Sequence, residues 1–472
     1  MHLNMDKHLA LLMAGGACVA ACHCVENKDN FAPKPNIVMF LIDDLGYNDF
    51  SCYRSTFYRT PTIDSLARAG MLMTDGYTAC TVSSPTRAAL ISGKYPARLH
   101  LTDWITGWKY ADAPMRVPDW RMYLPLEEKT TAEYLHEVGY QTWHVGKWHL
   151  GNDEMYWPEN QGFDVNIAGN FKGSPNKDNK GHKGYFSPYG LARLEDGPDG
   201  EYLTDRLTRE AVSLIESAEP GRPFFLNLCH YAVHTPLDAP ADLIDKYADL
   251  VDESYPQTDP VYAGMIEKVD DSLREIIAAL RRKGVLDNTL IVVTSDNGAL
   301  ERISPSLDLR AGKGSVFEGG VRVPMIFFWE GRIAPGSRSD APVISVDILP
   351  TFLQAAGLDV PDDADGVSLL PLLTGGEKEA SAYRAKLLER PIFWHYPHYH
   401  RGGATPYSAV REGRWSLIHW YETGNYALYD LSSDLRQSTD VGDLHPAVRK
   451  RLARTLSRGL ASVDAQYATF KE

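Results

Sequence analysis

Apolar runs along this chain repeatedly stop at residues that carry chemistry. Residues 36–42 form one such run, ending at Asp43 and Asp44. Runs at 141–145, 224–230 and 289–294 lead into Lys147 and His149, into His234, and into Asp296 and Asn297, and 324–329 adds another. Short apolar runs without alternation suit strands buried on both faces. Between them, 60–70 reads as a capped helix closing on Gly70, 130–138 as a helix stopping before Gly139, and 262–283 as a strongly amphipathic helix closed by Gly284. Strands alternating with helices predict an α/β fold with a large mixed, mostly parallel central sheet flanked by helices. In such sheets functional residues gather at the carboxyl ends of strands. The repeated placement of polar residues there predicts one composite site.

Two stretches break the alternation. Residues 152–202, rich in Gly, Pro, Asn and Lys, read as an insertion over the sheet. Composition shifts again at 373–384, around Gly375 and Gly376. Beyond it, short strands at 392–396, 407–411, 415–420 and 427–431 and a helix at about 445–467 predict a smaller subdomain of antiparallel strands with one helix. The expected organisation is a targeting segment at 1–22, a main domain at 34–375 and a carboxyl-terminal subdomain at 385–472 that contributes to the substrate pocket.

With 472 residues, 44% of them hydrophobic, the chain buries a large core, and disorder is a poor overall reading. A net charge of −14 argues against sequence-independent nucleic-acid binding, which needs Lys and Arg against phosphate. An anionic small substrate stays compatible if it meets a local basic pocket. Of six cysteines, Cys18, Cys22 and Cys24 lie near the start, while Cys52, Cys80 and Cys229 read as buried thiols ahead of a Cys52–Cys80 disulfide. At the amino terminus, Lys7 precedes an apolar stretch at 9–21 that is too short to span a bilayer. Residues 19–22 resemble a bacterial lipobox, with Cys22 as the lipidated residue. Cys18 and ordinary cleavage near Ala21 are the alternatives. The expectation is export to the periplasm or outer membrane with a lipid anchor.

Asp43 and Asp44 after one strand, and Asp296 and Asn297 after another, offer hard oxygen ligands suited to Ca²⁺ or Mg²⁺. Either pair alone reads as solvated turn residues; together they point to a metal. Ser83 precedes a helical stretch carrying Arg87 one turn on, a setting for a nucleophile or a plain helix cap.

Ser83, Ser84, Pro85, Thr86 and Arg87, followed by Leu90 and Gly93, resemble the signature of the type I sulfatases. Residues 139–149 resemble that family's second signature, and the likeness runs from Asn36 to about Leu431. The resemblance implies an alkaline-phosphatase-like fold, one Ca²⁺ per site, and oxidation of Ser83 to formylglycine. Because the modified position is Ser rather than Cys, it implies maturation by an anaerobic-type sulfatase-maturating enzyme. Cys80 lacks the Pro and Arg that follow Ser83 at the signature spacing. By the same resemblance Asp43, Asp44, Asp296, Asn297 and the modified residue 83 are the calcium ligands. Arg87 and Lys147 hold the aldehyde hydrate, His149 sits beside its second hydroxyl, His234 faces the ester oxygen, and Lys313 grips the sulfate. One hydroxyl of the hydrate attacks sulfur, His234 protonates the departing alcohol, and His149 deprotonates the other hydroxyl to expel sulfate.

The family's substrates imply a sulfated carbohydrate, with a galactose-type residue as the expectation here. His100, Asp103, Trp104, Arg310, His395 and His398 are the candidate substrate contacts, and Trp108, Trp394, Tyr396, Tyr399 and His400 add aromatic faces that are more often packing. His230 reads as a structural residue at a strand end. Two other readings stay open: a phosphate or phosphonate ester hydrolase of the same superfamily, and a non-catalytic glycan-binding lipoprotein in which Ser83 is unmodified.

Overall fold

Strand β1 (Asn36–Ile42) is the centre of the protein. Its alternate side chains enter opposite cores: Val38, Phe40 and Ile42 on one face, Ile37, Met39 and Leu41 on the other. All seven residues are buried, which is why no polar residue follows Asn36 in the run. The computed structural model describes residues 34–471 except 109, 176 and 179. The targeting segment at 1–22, with Cys18 and Cys22, lies outside the described residues.

The remaining strands of the main sheet are β2 (Met71–Met73), β3 (Gln141–Gly146), β4 (Val165–Ile167), β5 (Phe224–Cys229), β6 (Thr289–Ser295), β7 (Met325–Phe328) and β8 (Ser337–Ser339). They lie in the order β8-β2-β7-β6-β1-β5-β3-β4. From β6 to β4 every neighbouring pair is parallel, whereas β7 runs antiparallel to both β6 and β2. The sheet is therefore mixed and mostly parallel, as the sequence pattern predicts.

Helices cover both faces. On the first lie α1 (Pro61–Ala69), α4 (Leu203–Ser217) and α5 (Pro260–Lys283); on the second lie α2 (Ser83–Ser92), α3 (Thr131–Glu137) and α6 (Ile348–Ala355). Their limits follow from local chemistry. The Asp259 side chain accepts from Tyr262 N–H at the start of α5, and Gly284, at φ 72°, ends it after Arg281, Arg282 and Lys283. Thr130 and Glu133 cap α3 reciprocally at 3.2 and 2.7 Å.

The carboxyl-terminal part forms an antiparallel sheet of β9 (Ile392–Tyr396), β10 (Tyr407–Glu412), β11 (Trp415–Trp420) and β12 (Tyr426–Asp430). Helix α8 (Pro446–Ser462) packs on it through Leu452, Leu456 and Leu460. The stretch at 373–384, read as a composition boundary, is largely α7 (Glu377–Glu389). Only Leu387 of α7 is buried, so its polar composition gave no amphipathic signal. The small sheet is joined firmly to the main body: Trp394 Nε1 donates to Thr78 O at 2.8 Å, Arg411 pairs with Asp75 at 2.7 Å, and Tyr95 stacks on Phe393. Cys52, Cys80 and Cys229 are free thiols, so the Cys52–Cys80 disulfide is not formed. Among the described residues no helix is long and apolar enough to cross a membrane.

Candidate active site

The carboxyl ends of β1, β3, β5 and β6 converge on the amino end of α2. Beyond Ile42, Asp43 N–H donates to Ala232 O and Val233 N–H donates to Asp43 O, splicing the β1 end to the segment after β5. Asp44 adopts φ 59°, a left-handed turn that Asp tolerates better than most residues. Its N–H donates to Asp296 Oδ1 at 3.2 Å, linking the two acidic strand ends. At the end of β3, Gly146 has φ 103°, and a Cβ there would come within 1.9 Å of Cys229 O. Only glycine permits that approach, which lets Lys147 N–H reach Cys229 O at 2.7 Å.

Ser83 opens α2, a helix in which every residue is buried. Its hydroxyl lies 3.4 Å from Asp43 Oδ1, 3.3 Å from Asn297 Oδ1 and 3.4 Å from Lys147 Nζ. Lys147 Nζ also holds Asp43 Oδ2 at 2.6 Å. One turn along the helix, Arg87 Nε donates to Asp296 Oδ2 at 2.8 Å and Nη1 to Lys147 O at 3.0 Å. Asn297 Nδ2 donates to Asp44 Oδ1 at 2.8 Å, and Lys313 Nζ closes on the same oxygen. His234 Nε2 stands 3.6 Å from Asp44 Oδ2, with its side chain partly open to solvent. The residues that the sequence placed at separate strand ends thus share one cluster.

The electrostatics follow from burying so many charges together. Burial and the neighbouring Asp296 carboxylate push Asp43 up to about 8, against the pull of Lys147. Burial acts the same way on Asp44 and Asp296, but Lys313 and His234 at the first, and Arg87 and Lys147 at the second, outweigh it and hold both below the usual carboxylate range. Burial lowers Lys147, while at Lys313 the three carboxylates overcome burial and raise it. Burial brings His234 down to about 4 although Asp44 opposes the shift, and drives His149 well below the usual range.

Three features fit a hard divalent cation. Asp43, Asp44 and His234 bring ligand atoms within 4.8 Å of one another. Asp44 Oδ2 is buried with no hydrogen-bond partner. Three crowded carboxylates with an amide oxygen beside them are the donors that calcium takes.

His149, at φ 61°, donates from Nε2 to Ile105 O; its Nδ1 is buried without a partner. A carbonyl cannot donate, so Nε2 carries the hydrogen and Nδ1 the free lone pair. The insertion at 152–202 supports both histidines. Asn170 O accepts from His149 N–H, Gly173 packs against the His149 ring, and Tyr185 Oη donates to Tyr231 O at 2.6 Å and His234 O at 2.9 Å. Tyr185 carries no sequence signal, because its role exists only once the insertion folds over the sheet. His230 bonds Ser272 at 2.9 Å and packs on Phe40 inside the core, in keeping with a structural role.

The candidate substrate contacts are placed differently. Asp103 is buried and accepts from Tyr396 Oη at 2.7 Å and from Trp104 N–H at 2.9 Å. His395 bridges Ser408 and Gln466 O, and His398 bonds Thr102; both are buried. His100 holds Asp464 O, and Arg310 lies over Phe317 and donates to Gln437 O. Trp104 lies beside Trp108 at a ring separation of 6.4 Å. His400, by contrast, packs directly against Gly314, next to Lys313. No local pattern announces this, since the two residues lie in distant loops.

The family model described as Sulfatase matches residues 35–358, and one described as N-sulphoglucosamine sulphohydrolase, C-terminal, matches 312–465. Human arylsulfatase A is 32% identical over 461 residues, covering 92% of this chain and 81% of that protein. The dog N-acetylgalactosamine-6-sulfatase is 31% identical, covering 84% of this chain and 74% of that protein. The crystal structure of Ps i-CgsB in complex with k-i-k-neocarrahexaose matches with a TM-score of 0.75 and 30% identity, covering 90% of this chain and 93% of that one.

Proposed function

Because the chain belongs to the sulfatase family, whose members are sulfuric ester hydrolases, we propose that it cleaves sulfate esters on a carbohydrate, with Ser83 as the position that attacks sulfur. The observation that carries this reading is the convergence of Asp43, Asn297 and Lys147 on the Ser83 hydroxyl, with Arg87 locked behind it. The N-acetylgalactosamine-6-sulfatase among the relatives supports a galactose-type sugar.

A serine hydroxyl alone is a weak nucleophile. Oxidation of Ser83 to formylglycine supplies, once hydrated, two oxygens on one carbon, one to bond sulfur and one to drive sulfate out. Since the precursor is serine, the partner enzyme is an anaerobic-type sulfatase-maturating enzyme. Asp43, Asp44, Asp296 and Asn297, with residue 83, would hold calcium, which supplies positive charge against the sulfuryl oxygens. Arg87, Lys147 and Lys313 add fixed positive charge at the largely buried base of the site, where such charges act more strongly than in open solvent.

His234, open to the pocket mouth, donates the proton to the departing alcohol. Burial leaves it neutral in the free protein, and an anionic ester against Lys313 weakens the repulsion that keeps the proton off. His149 takes a proton through Nδ1, the atom its bond to Ile105 leaves free. The carboxyl-terminal sheet at 385–472 closes one side of the pocket through the loop that carries His400. Export with a lipid anchor on Cys22 completes the reading.

The test has two parts. Peptide mass spectrometry across Ser83, on protein made in an anaerobic-type bacterial host, is expected to show the loss of two hydrogens. Sulfate release is expected from at least one defined galactose-type sulfated mono- or disaccharide. An unoxidised Ser83 in protein that still releases sulfate would overturn the nucleophile; turnover of phosphate esters in strong preference to sulfate would overturn the substrate class.

A further inference from the structure

Two wall segments rise from opposite sides of the cluster and meet above it. The first leaves α2: Ile105 N–H donates to Ser84 Oγ at 3.2 Å and Ile105 O accepts from His149, so residues 103–108 stand directly on the nucleophile helix. The second is the loop between β9 and β10. His400 packs on Gly314, a Cβ at Gly402 would come within 2.1 Å of Lys313 O, and Ala404 N–H donates to Gly314 O at 3.1 Å. This loop is therefore seated on the backbone of Lys313. The two walls touch where the Arg401 guanidinium lies 3.5 Å from the centre of the Trp108 ring.

What sets that contact apart is its place at the pocket mouth; elsewhere among the described residues Arg332 lies over Trp329 without a carboxylate. The chain carries a net charge of −14, and its cations are widely paired with carboxylates. Among the described residues Arg401 has no carboxylate within ion-pair distance and no side-chain hydrogen bond. It is exposed, and Trp108 beneath it is 44% exposed. Stacking engages only the flat face of a guanidinium and leaves its N–H edge available to a planar or tetrahedral anion. The aromatic ring fixes the group in place, so little ordering is needed when an anion arrives.

We propose that Arg401, held by Trp108, recognises a second anionic group on the sugar ring next to the one bearing the scissile ester. This deepens the sulfate-ester reading above and rests on it. The scissile sulfate occupies the buried cations, and a neighbouring sulfate or carboxylate meets Arg401 at the mouth. The preferred substrate is then a glycan with charge on adjacent residues rather than an isolated sulfated sugar. His400, which precedes Arg401 in this loop and packs on Gly314 beside Lys313, is the spacer that sets the distance between the two anion points.

The test measures sulfate release from a monosulfated galactose and from sulfated galactosyl disaccharides whose second ring is neutral, sulfated or a uronic acid. Wild-type protein is compared with Arg401→Gln, Arg401→Lys and Trp108→Ala. Arg401→Gln is expected to lower kcat/KM by about 10- to 100-fold on a disaccharide with a charged second ring, mainly through KM, the size of losing one charge-assisted hydrogen bond. It is expected to leave the monosaccharide and the neutral disaccharide nearly unchanged. A loss on the sulfated ring alone identifies sulfate as the partner, and a loss on the uronic acid alone identifies carboxylate. Arg401→Lys retains part of the preference because the charge remains, and Trp108→Ala shows the same selective loss to a smaller extent. Equal losses on charged and neutral substrates, or none on any, would overturn the proposal while leaving the sulfatase reading intact. No sulfate release from any of the four by wild-type protein with oxidised Ser83 would sink the galactose-type reading on which it rests, and the proposal with it.

Discussion

At the floor of the pocket, Asp43, Lys147, Arg87 and Asp296 are all at most 4% exposed and hold one another at 2.6 to 2.8 Å. At its mouth, Trp108 and Arg401 are open to solvent and are joined to each other by a ring contact. The floor stands on parallel strand ends, where hydrogen bonds on both sides fix each backbone position. The mouth stands on two loops contributed by different parts of the fold. Buried charges tolerate little change of position, because each needs its opposite partner at hydrogen-bond distance. Exposed cations tolerate exchange, because water replaces whatever is lost. The division predicts that floor substitutions act on every substrate and mouth substitutions on some.

Ser83→Ala is the most severe test. It is expected to abolish sulfate release from all substrates while leaving thermal unfolding close to wild type, since its hydroxyl makes only contacts of 3.3 to 3.4 Å. Retained activity on any substrate would break the floor assignment. Asp296→Ala removes the partner of a buried Arg87, and an uncompensated buried charge costs about 3–5 kcal/mol. A lower denaturation midpoint together with loss of turnover is expected, and unchanged stability would contradict the interlocked picture.

His234→Ala sharpens the comparison, because this residue lies between floor and mouth. Turnover is expected to fall by about 10²–10⁴-fold on sugar sulfates and far less on activated aryl sulfates, whose leaving group needs no proton. Equal losses on both would remove it from the role of acid.

Asp103 ties the wall segment at 103–108 to the small sheet, being buried and accepting from Trp104 N–H and from Tyr396 Oη. Burial pushes its carboxyl up to about 7 despite the two hydrogen bonds it accepts. A folded-state value above the unfolded one means the native protein binds the proton more tightly. The associated stability is fully present below about pH 4 and is lost as pH rises to about 7, amounting to about 4 kcal/mol for a shift of this size. Asp103→Asn is expected to flatten that decline in denaturant titrations between pH 4 and 8. An unchanged slope would show that Asp103 ionises freely in the folded protein.

The same contrast explains what the sequence made legible. Strands β1, β5 and β6 are buried on both faces, so their runs stood out and the residues following them marked the floor. Strands β2, β4 and β8 have three residues each, too few for any periodicity to register. Helix α7 passed for a boundary because nearly all of it faces solvent. At the mouth, His395 and His398 resembled sugar ligands by composition, yet Ser408, Gln466 and Thr102 engage them. The position of His400 against Gly314 depends on two loops about 85 residues apart in sequence meeting in space, which no window along the chain contains.

The burial of Ser83 within a helix that has no exposed residue also imposes a schedule. On the proposed reading, a small ester reaches this hydroxyl at the base of the pocket but the catalytic groups of a second enzyme do not, so its oxidation would happen on the nascent or still-extended polypeptide. The expected outcome is that protein folded in a cell without the proposed modifying enzyme stays inactive, and that adding that enzyme afterwards restores activity only if the chain is first unfolded.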